Sequence, residues 1–585
     1  MPQKRAHFVP AAPLAEVQEA GCKVVHLKGH TVALFHHQGE VYAVDNRCPH
    51  MGFPLDRGTL DDGILTCHWH HARFDLETGG TFDQFADDAR TFPVEVRDGE
   101  VWVDVALHED VREHQRQRLQ VGLERNIRLV IAKAVLVLLE NGKGEGDAVE
   151  PFRIGLDFGA RYRRAGWGQG LTILTCMMNL VPYLDPADRP RALYHGLAAV
   201  ASESAGQPPR FPIRPLPNGD TAGIPTLKRW FRQFIAVRDA EGAERCIISA
   251  IRAGADSRQM ADMMFSAITD YRYVATGHPA DFTNKAFEAL DVTGWEMAEQ
   301  VLPSLVRDYA DGARMEESNS WRHPVDLVAI LDEAFERLRA LDVALTSGDA
   351  LWPGRDDLIP ILHGDEPQAI ADALLDALAE GCSAVELASI VSYAAALRIA
   401  RFHTSNEFPD WDTALHTFTF ANAIEQGLRR APSVDLLRGV LDAAMSVYLD
   451  RFLNIPPARL PQPNGREEAP DAILKELRPL LDRQQQVDAA GGRVAHYLYD
   501  GGDPDPLLAT LGHLLLREDR DFHTIQTVEA AFRQFRTQPD GEAGVYSLVA
   551  AGRYLAAHAP TVRSQGQTYS IAARLHRGEK IFEEG

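Results

Sequence analysis

Between residues 8 and 108, apolar and polar side chains alternate in short runs broken by turn residues. Lys23-Val24-Val25-His26-Leu27, Thr31 to Phe35, and Val101-Trp102-Val103-Asp104-Val105 after Asp98-Gly99 have the two-residue period of strands. This predicts a small antiparallel all-β domain over residues 1–108. From Glu109 the period changes. Glu109 to Glu140 reads as one long helix, polar at first (EDVREHQRQRLQ) and then apolar. The glycines of Asn141–Gly146 suit its C-cap and a loop. Almost everything beyond reads as helix, so residues 109–585 are expected to form a second, all-α domain. Glu386 to Ala400 places Leu387, Ile390, Val391, Ala394 and Leu397 on one face. Ser383 followed by Glu386 forms a capping-box pattern ahead of it. Two proline-rich loops, 203–225 and 455–470, interrupt the helices.

The helical part carries an internal repeat. Phe282-Thr283, His416-Thr417 and His523-Thr524 recur with Glu288-Ala289, Asn422-Ala423 and Glu529-Ala530 at the same offset, and Arg191–His195 opens an earlier copy. Paired helices in tandem imply units that bury their apolar faces only against one another, a helical-repeat array.

Composition refines this outline. The chain has 585 residues, too many for one core, and 45% are hydrophobic, an ordinary globular share. A net charge of −23, spread over both parts, argues against nucleic acid or an anionic membrane as partner. The start, MPQKRAHFVPAAPL, lacks the apolar core of a signal peptide. The longest apolar run, Leu129 to Leu139, is short for a bilayer and is interrupted by Lys133. A cytoplasmic protein is expected. Of six cysteines, Cys22, Cys176, Cys246 and Cys382 are scattered in apolar settings and read as buried thiols.

The chemistry concentrates between Cys48 and Phe82. Cys48-Pro49-His50 and Cys67-His68-Trp69-His70 each offer a thiolate and an imidazole, a set that suits tetrahedral zinc or an iron–sulfur cluster with two imidazoles on one iron. Each loop is mixed, whereas zinc sites usually group their cysteines as Cys-x-x-Cys. With Gly52, Pro54, Leu55, Gly58, Phe74, Asp75, Thr78 and Gly79, the stretch closely resembles the Rieske [2Fe–2S] family over residues 8–108. The resemblance implies that Cys48 and Cys67 hold one iron and His50 and His70 the other. Respiratory members carry an extra cysteine in each loop, joined as a disulfide; Phe53 and Trp69 stand there. Their hydroxyl residues after the second His ligand are here Ala72 and Phe74, which implies a low-potential centre of the ferredoxin or oxygenase type. His68 and His71 are expected outside the ligand set, and His26, His30, His36 and His37 on the surface.

A Rieske oxygenase would add a mononuclear iron on two histidines about a turn apart. Past residue 114 the nearest pair, His513 and His523, is ten apart, so that site is not expected. No Glu-x-x-His marks a di-iron bundle, and GWGQG is a poor phosphate loop. His195, His416 and His523 sit near the starts of apolar helices, where they cap turns or converge on a pocket. The phrase ALHTFTFANAIEQ and the spread of single histidines resemble questin-oxidase-like proteins, which carry out Baeyer–Villiger-type oxygenation. Two readings follow. In one, a cluster fed by a reductase or ferredoxin drives oxidation of a small apolar substrate in or beside the helical domain, with His416 and His523 as catalytic lining. In the other, the helical array is a docking scaffold for an electron-transfer or redox-sensing protein.

Overall fold

The computed structural model describes residues 7–106, 111–140, 148–217, 222–346, 351–463, 468–538 and 541–581. It divides into two compact units, Met1–Asp147 with Gln567–Gly585, and Ala148–Gly566.

The first unit opens with β1 (Phe8–Pro13), helix α1 (Leu14–Ala20), β2 (Cys22–Leu27), β3 (His30–His37) and β4 (Glu40–Asp45). Six short strands follow: β5 (Thr59–Asp61), β6 (Ile64–Thr66), β7 (Arg73–Asp75), β8 (Thr91–Phe92), β9 (Val94–Arg97) and β10 (Glu100–Asp104). They make three antiparallel sheets, ordered β1-β10-β9, β2-β3-β4-β8 and β5-β6-β7. Val25 pairs with Val32 and Leu34 with Ala43, a register that sends these side chains into one core with Val17, Val101 and Val103. The intervening Ala33, Phe35 and Val44 enter a second core with Leu55, Leu65 and Phe74, and this second core contains both Cys48 and Cys67. Both faces of β3 are therefore covered.

Two helices complete this unit, α2 (Val111–Arg125) and α3 (Arg128–Glu140). The single helix expected over Glu109–Glu140 is broken at Asn126, whose φ of 53° is left-handed. Gly122 lets the two halves close together, since a Cβ there would lie 2.9 Å from Ile131 Cγ1. The Asn141–Gly146 turn lies outside the described residues.

The described part of the second unit is helical. In Ala384–Ala400 almost every residue is buried, so the one-sided face expected there is a helix covered all round. The Ser383 side chain accepts from the Glu386 N–H at 3.2 Å. Glu386 itself accepts from Trp352 N–H at 2.6 Å. This helix packs on Phe408–Arg430, which also packs on His278–Thr293 and Phe522–Thr537. Those last three helices carry the three aligned copies seen in the sequence. Cys176, Cys246 and Cys382 are buried, Cys22 half-buried, and all are free thiols. Among the described residues no helix is long and apolar enough to cross a membrane.

Candidate metal centres

Two loops of the first unit present the four sequence-identified ligands, and they are built alike. Cys48 N–H donates to the Phe53 carbonyl at 2.8 Å, and Cys67 N–H to the Ala72 carbonyl at 2.9 Å. Four residues beyond each cysteine the chain turns left-handed, at Gly52 with φ 83° and at His71 with φ 60°. Glycine adopts that conformation freely; His71 does so at a small cost and points to solvent, outside the ligand set. Beyond the second loop, the Asp75 side chain accepts from Thr78 N–H at 3.0 Å. Gly79, at φ 78°, lies so close to the Ala89 carbonyl that a Cβ would sit 1.8 Å from it. The Phe-Asp-x-x-Thr-Gly pattern thus braces the second loop.

The four side chains are layered. Cys48 and Cys67 are 3% and 1% exposed, His50 is half-buried and His70 exposed. The two imidazoles meet edge-on with centroids 4.8 Å apart, and Phe85 packs on the His50 ring at 5.0 Å. Hydrogen bonding from Cys48 pulls the Cys67 thiol down to about 6, while the same pairing pushes Cys48 up. N–H groups of His50 and Met51 point at the Cys48 sulfur, and those of Trp69 and His70 at Cys67. Burial and the neighbouring His70 push His50 down to about 4, and burial lowers His70, so both are neutral at pH 7. His50 Nδ1 is buried without a hydrogen-bond partner. Thiolate-stabilising N–H groups on one side and unprotonated imidazoles on the other fit a [2Fe–2S] cluster ligated by both. Phe53 and Trp69 occupy the disulfide positions as a ring pair 6.0 Å apart, and Ala72 and Phe74 are fully buried with no hydroxyl to offer. His68 is exposed, with its Nε2 against Thr59 Oγ1.

The second unit brings His416 and His523 together, and adds a third histidine that sequence reasoning passed over. His278 opens helix His278–Thr293, one turn before the aligned Phe282, on whose ring it stacks at 5.4 Å. Ring centroids are 4.9 Å apart for His278 and His416, 4.7 Å for His416 and His523, and 5.9 Å for His278 and His523. One nitrogen from each lies within 4.8 Å of the others. Asp412 orients one of the rings through its carbonyl, which accepts from His416 Nδ1 at 2.5 Å, and its carboxylate lies 3.1 Å from His523 Nδ1 without a hydrogen bond to it. A proton held on Nδ1 leaves the Nε2 lone pair free, and His523 Nε2 is buried without a hydrogen-bond partner. Burial, with the two neighbouring imidazoles, lowers His278 to about 3; burial also lowers His523. Two histidines about a turn apart, the pattern sought past residue 114, do not form this group. These histidines come from three helices far apart in sequence, where spacing carries no signal. His195 remains apart, buried on helix Arg189–Ser204 beside Tyr194.

Comparison with known proteins covers the β part of the first unit. Residues 7–93 match the family model of the Rieske [2Fe-2S] domain. The chain is 40% identical over 77 residues to the 3-phenylpropionate/cinnamic acid dioxygenase ferredoxin subunit of Photorhabdus laumondii, covering 13% of this chain and 73% of that one. It is 30% identical over 100 residues to the naphthalene 1,2-dioxygenase ferredoxin component of Pseudomonas aeruginosa, covering 17% and 96%. Among solved structures, the Sphingomonas yanoikuyae B1 ferredoxin aligns at 28% identity over 17% of this chain and 98% of its own, with a TM-score of 0.16.

Proposed function

We propose, since the chain belongs to the Rieske [2Fe–2S] family through its first unit, that it passes single electrons to an oxidation carried out at a metal in its helical unit. The family's cluster supplies one-electron transfer at the potential its surroundings set. Cys48 and Cys67 hold one iron, and His50 and His70 the other. The exposed edge of His70, with His50 beside it, is where an electron enters from a reductase or ferredoxin and leaves again. A carrier fused to its acceptor raises the local concentration of one for the other.

The acceptor is a single redox-active metal ion held by His278, His416 and His523. The observation that carries this reading is the half-buried convergence of three imidazoles, one of them oriented by the Asp412 carbonyl. Metal-ligating histidines characteristically donate their second ring N–H to a carboxylate or carbonyl in this way. Imidazole suits iron, copper, nickel or zinc; a one-electron acceptor excludes zinc, and iron is the metal tested for. Phe282 and Phe522 border the histidines and favour a small apolar substrate. His416 and His523, together with His278, are then the catalytic group of the chain.

Metal and sulfide analysis of anaerobically purified protein tests this reading. Two sulfides and three irons per chain are expected. His416→Gln and His523→Gln each remove about one iron while the cluster's absorption and electron paramagnetic resonance remain. Two irons in the wild type, or zinc in the third place, would leave the scaffold reading as the better one.

A further inference from the structure

We infer that Lys133 is a tuning charge for the cluster: its ammonium, supplied by a helix outside the matched Rieske segment, raises the reduction potential of the first unit. This rests on the reading that Cys48, His50, Cys67 and His70 hold the cluster.

Lys133 is the one charged residue in the apolar run Leu129 to Leu139. On an amphipathic helix such a residue would turn to solvent, or bury its stem and keep its head in water. Here the side chain turns inward. Its Nζ donates to the Pro49 carbonyl at 2.7 Å and also to the carbonyl of His50, itself a ligand residue. Lys133 and Cys48 line the same cavity of about 280 Å³, which Arg47, Asp87 and Arg90 also border. Helix α3 thus delivers a cation to the backbone between the first thiolate and the first imidazole.

Its charged neighbours are of both signs: Asp87 favours the ammonium, and Arg118 and Arg47 oppose it. Asp87 is itself held by Arg118 Nε at 2.9 Å and His114 Nε2 at 3.0 Å, both from α2. The two carbonyl acceptors hold the ammonium in place beside the loop. Reduction adds one negative charge to the cluster. A nearby, half-buried cation stabilises that charge more than it stabilises the oxidised state, so the midpoint rises. With Ala72 and Phe74 withholding hydroxyl hydrogen bonds, Lys133 partly offsets a second shell that otherwise lowers the potential.

Redox titration of the full chain, followed by the cluster's visible spectrum, separates charge from hydrogen bonding. Lys133→Met and Lys133→Gln are expected to shift the midpoint negative by similar amounts, while Lys133→Arg stays near the wild type. Sulfide and iron content is measured alongside. Midpoints unchanged in both neutral variants at full cluster content would overturn the inference. So would a wild-type midpoint in Lys133→Gln with a shifted one in Lys133→Met, because an uncharged donor would then suffice. Loss of the cluster from both neutral variants would overturn it too, making Lys133 a clamp on the loop. A wild-type chain without cluster would instead sink the underlying assignment.

Discussion

At the scale of single residues, the first unit keeps its cysteines dry and its imidazoles at the rim, and the two substitutions beside His70 set its chemistry. Hydrogen bonds from serine and tyrosine hydroxyls to the cluster favour its reduced state; Ala72 and Phe74, both fully buried, make none. The midpoint is expected near the low end of the Rieske range, roughly −150 mV. Ala72→Ser with Phe74→Tyr should raise it, as redox titration would show. A wild-type value above about +100 mV would contradict this account of the surroundings. The four candidate ligands could be read from the sequence because each lies within three residues of its partner, in a loop whose turns and glycines are written locally. Lys133 was visible only as an interruption of an apolar run. Its meaning depends on a helix folding back over Pro49, which no local pattern encodes.

Helices His278–Thr293 and Phe522–Thr537 carry their histidines at one end and a buried polar stripe below. On the first, Asp281, Lys285 and Glu288 follow His278 at helical spacing; on the second, Gln526 and Glu529 follow His523. Lys285 lies between Glu288, at 3.0 Å, and Glu529, so each buried charge there has a partner. Asp281, 2% exposed, instead accepts from the Gln526 amide, and burial pushes it up to about 8. Its sign follows from linkage. The folded chain holds a proton that the unfolded chain releases near its ordinary value of 3.8. Stability is thus favoured by this group at low pH and lost as pH rises toward 8, by at most about 1.4 kcal/mol per unit. Asp281→Asn should flatten that part of the dependence in denaturant titrations at several pH values; an unchanged slope would show that Asp281 is ionised when folded. The repeat pattern had aligned His416 and His523 with Phe282, and the third histidine stands one turn earlier, ahead of Pro279. A copy that shifts its histidine by a turn hides from an offset match while keeping the ring at the same end of the bundle. The expected Glu109–Glu140 helix failed for a related reason: the left-handed Asn126 and the close approach at Gly122 fold it into a hairpin that apolar periodicity cannot register.

On the scale of the whole molecule, the boundary drawn at residue 108 marks the end of β structure, while the first compact unit also takes in α2, α3 and the chain's last residues. Arg47, just before the first ligand loop, donates to the carbonyls of Leu575 at 3.1 Å and Glu579 at 3.2 Å. Contacts across more than five hundred residues leave no trace in periodicity, which is why the division of units was not legible. Each unit nevertheless has its own buried core, so damage at the cluster should stay local. Cys48→Ser removes a thiolate that has no substitute and should abolish the cluster. The thermal transition of the helical unit, and the metal proposed at His278, His416 and His523, should both survive. Electron delivery then distinguishes an enzyme from a scaffold. With a reductase and its nicotinamide donor supplied, the wild type should reduce its helical metal, and Cys48→Ser should reduce it at least tenfold more slowly, as stopped-flow or freeze-quench spectroscopy of that metal would record. Equal rates in the two proteins would mean that the cluster does not serve the helical centre, and the fusion would have to be explained by docking alone.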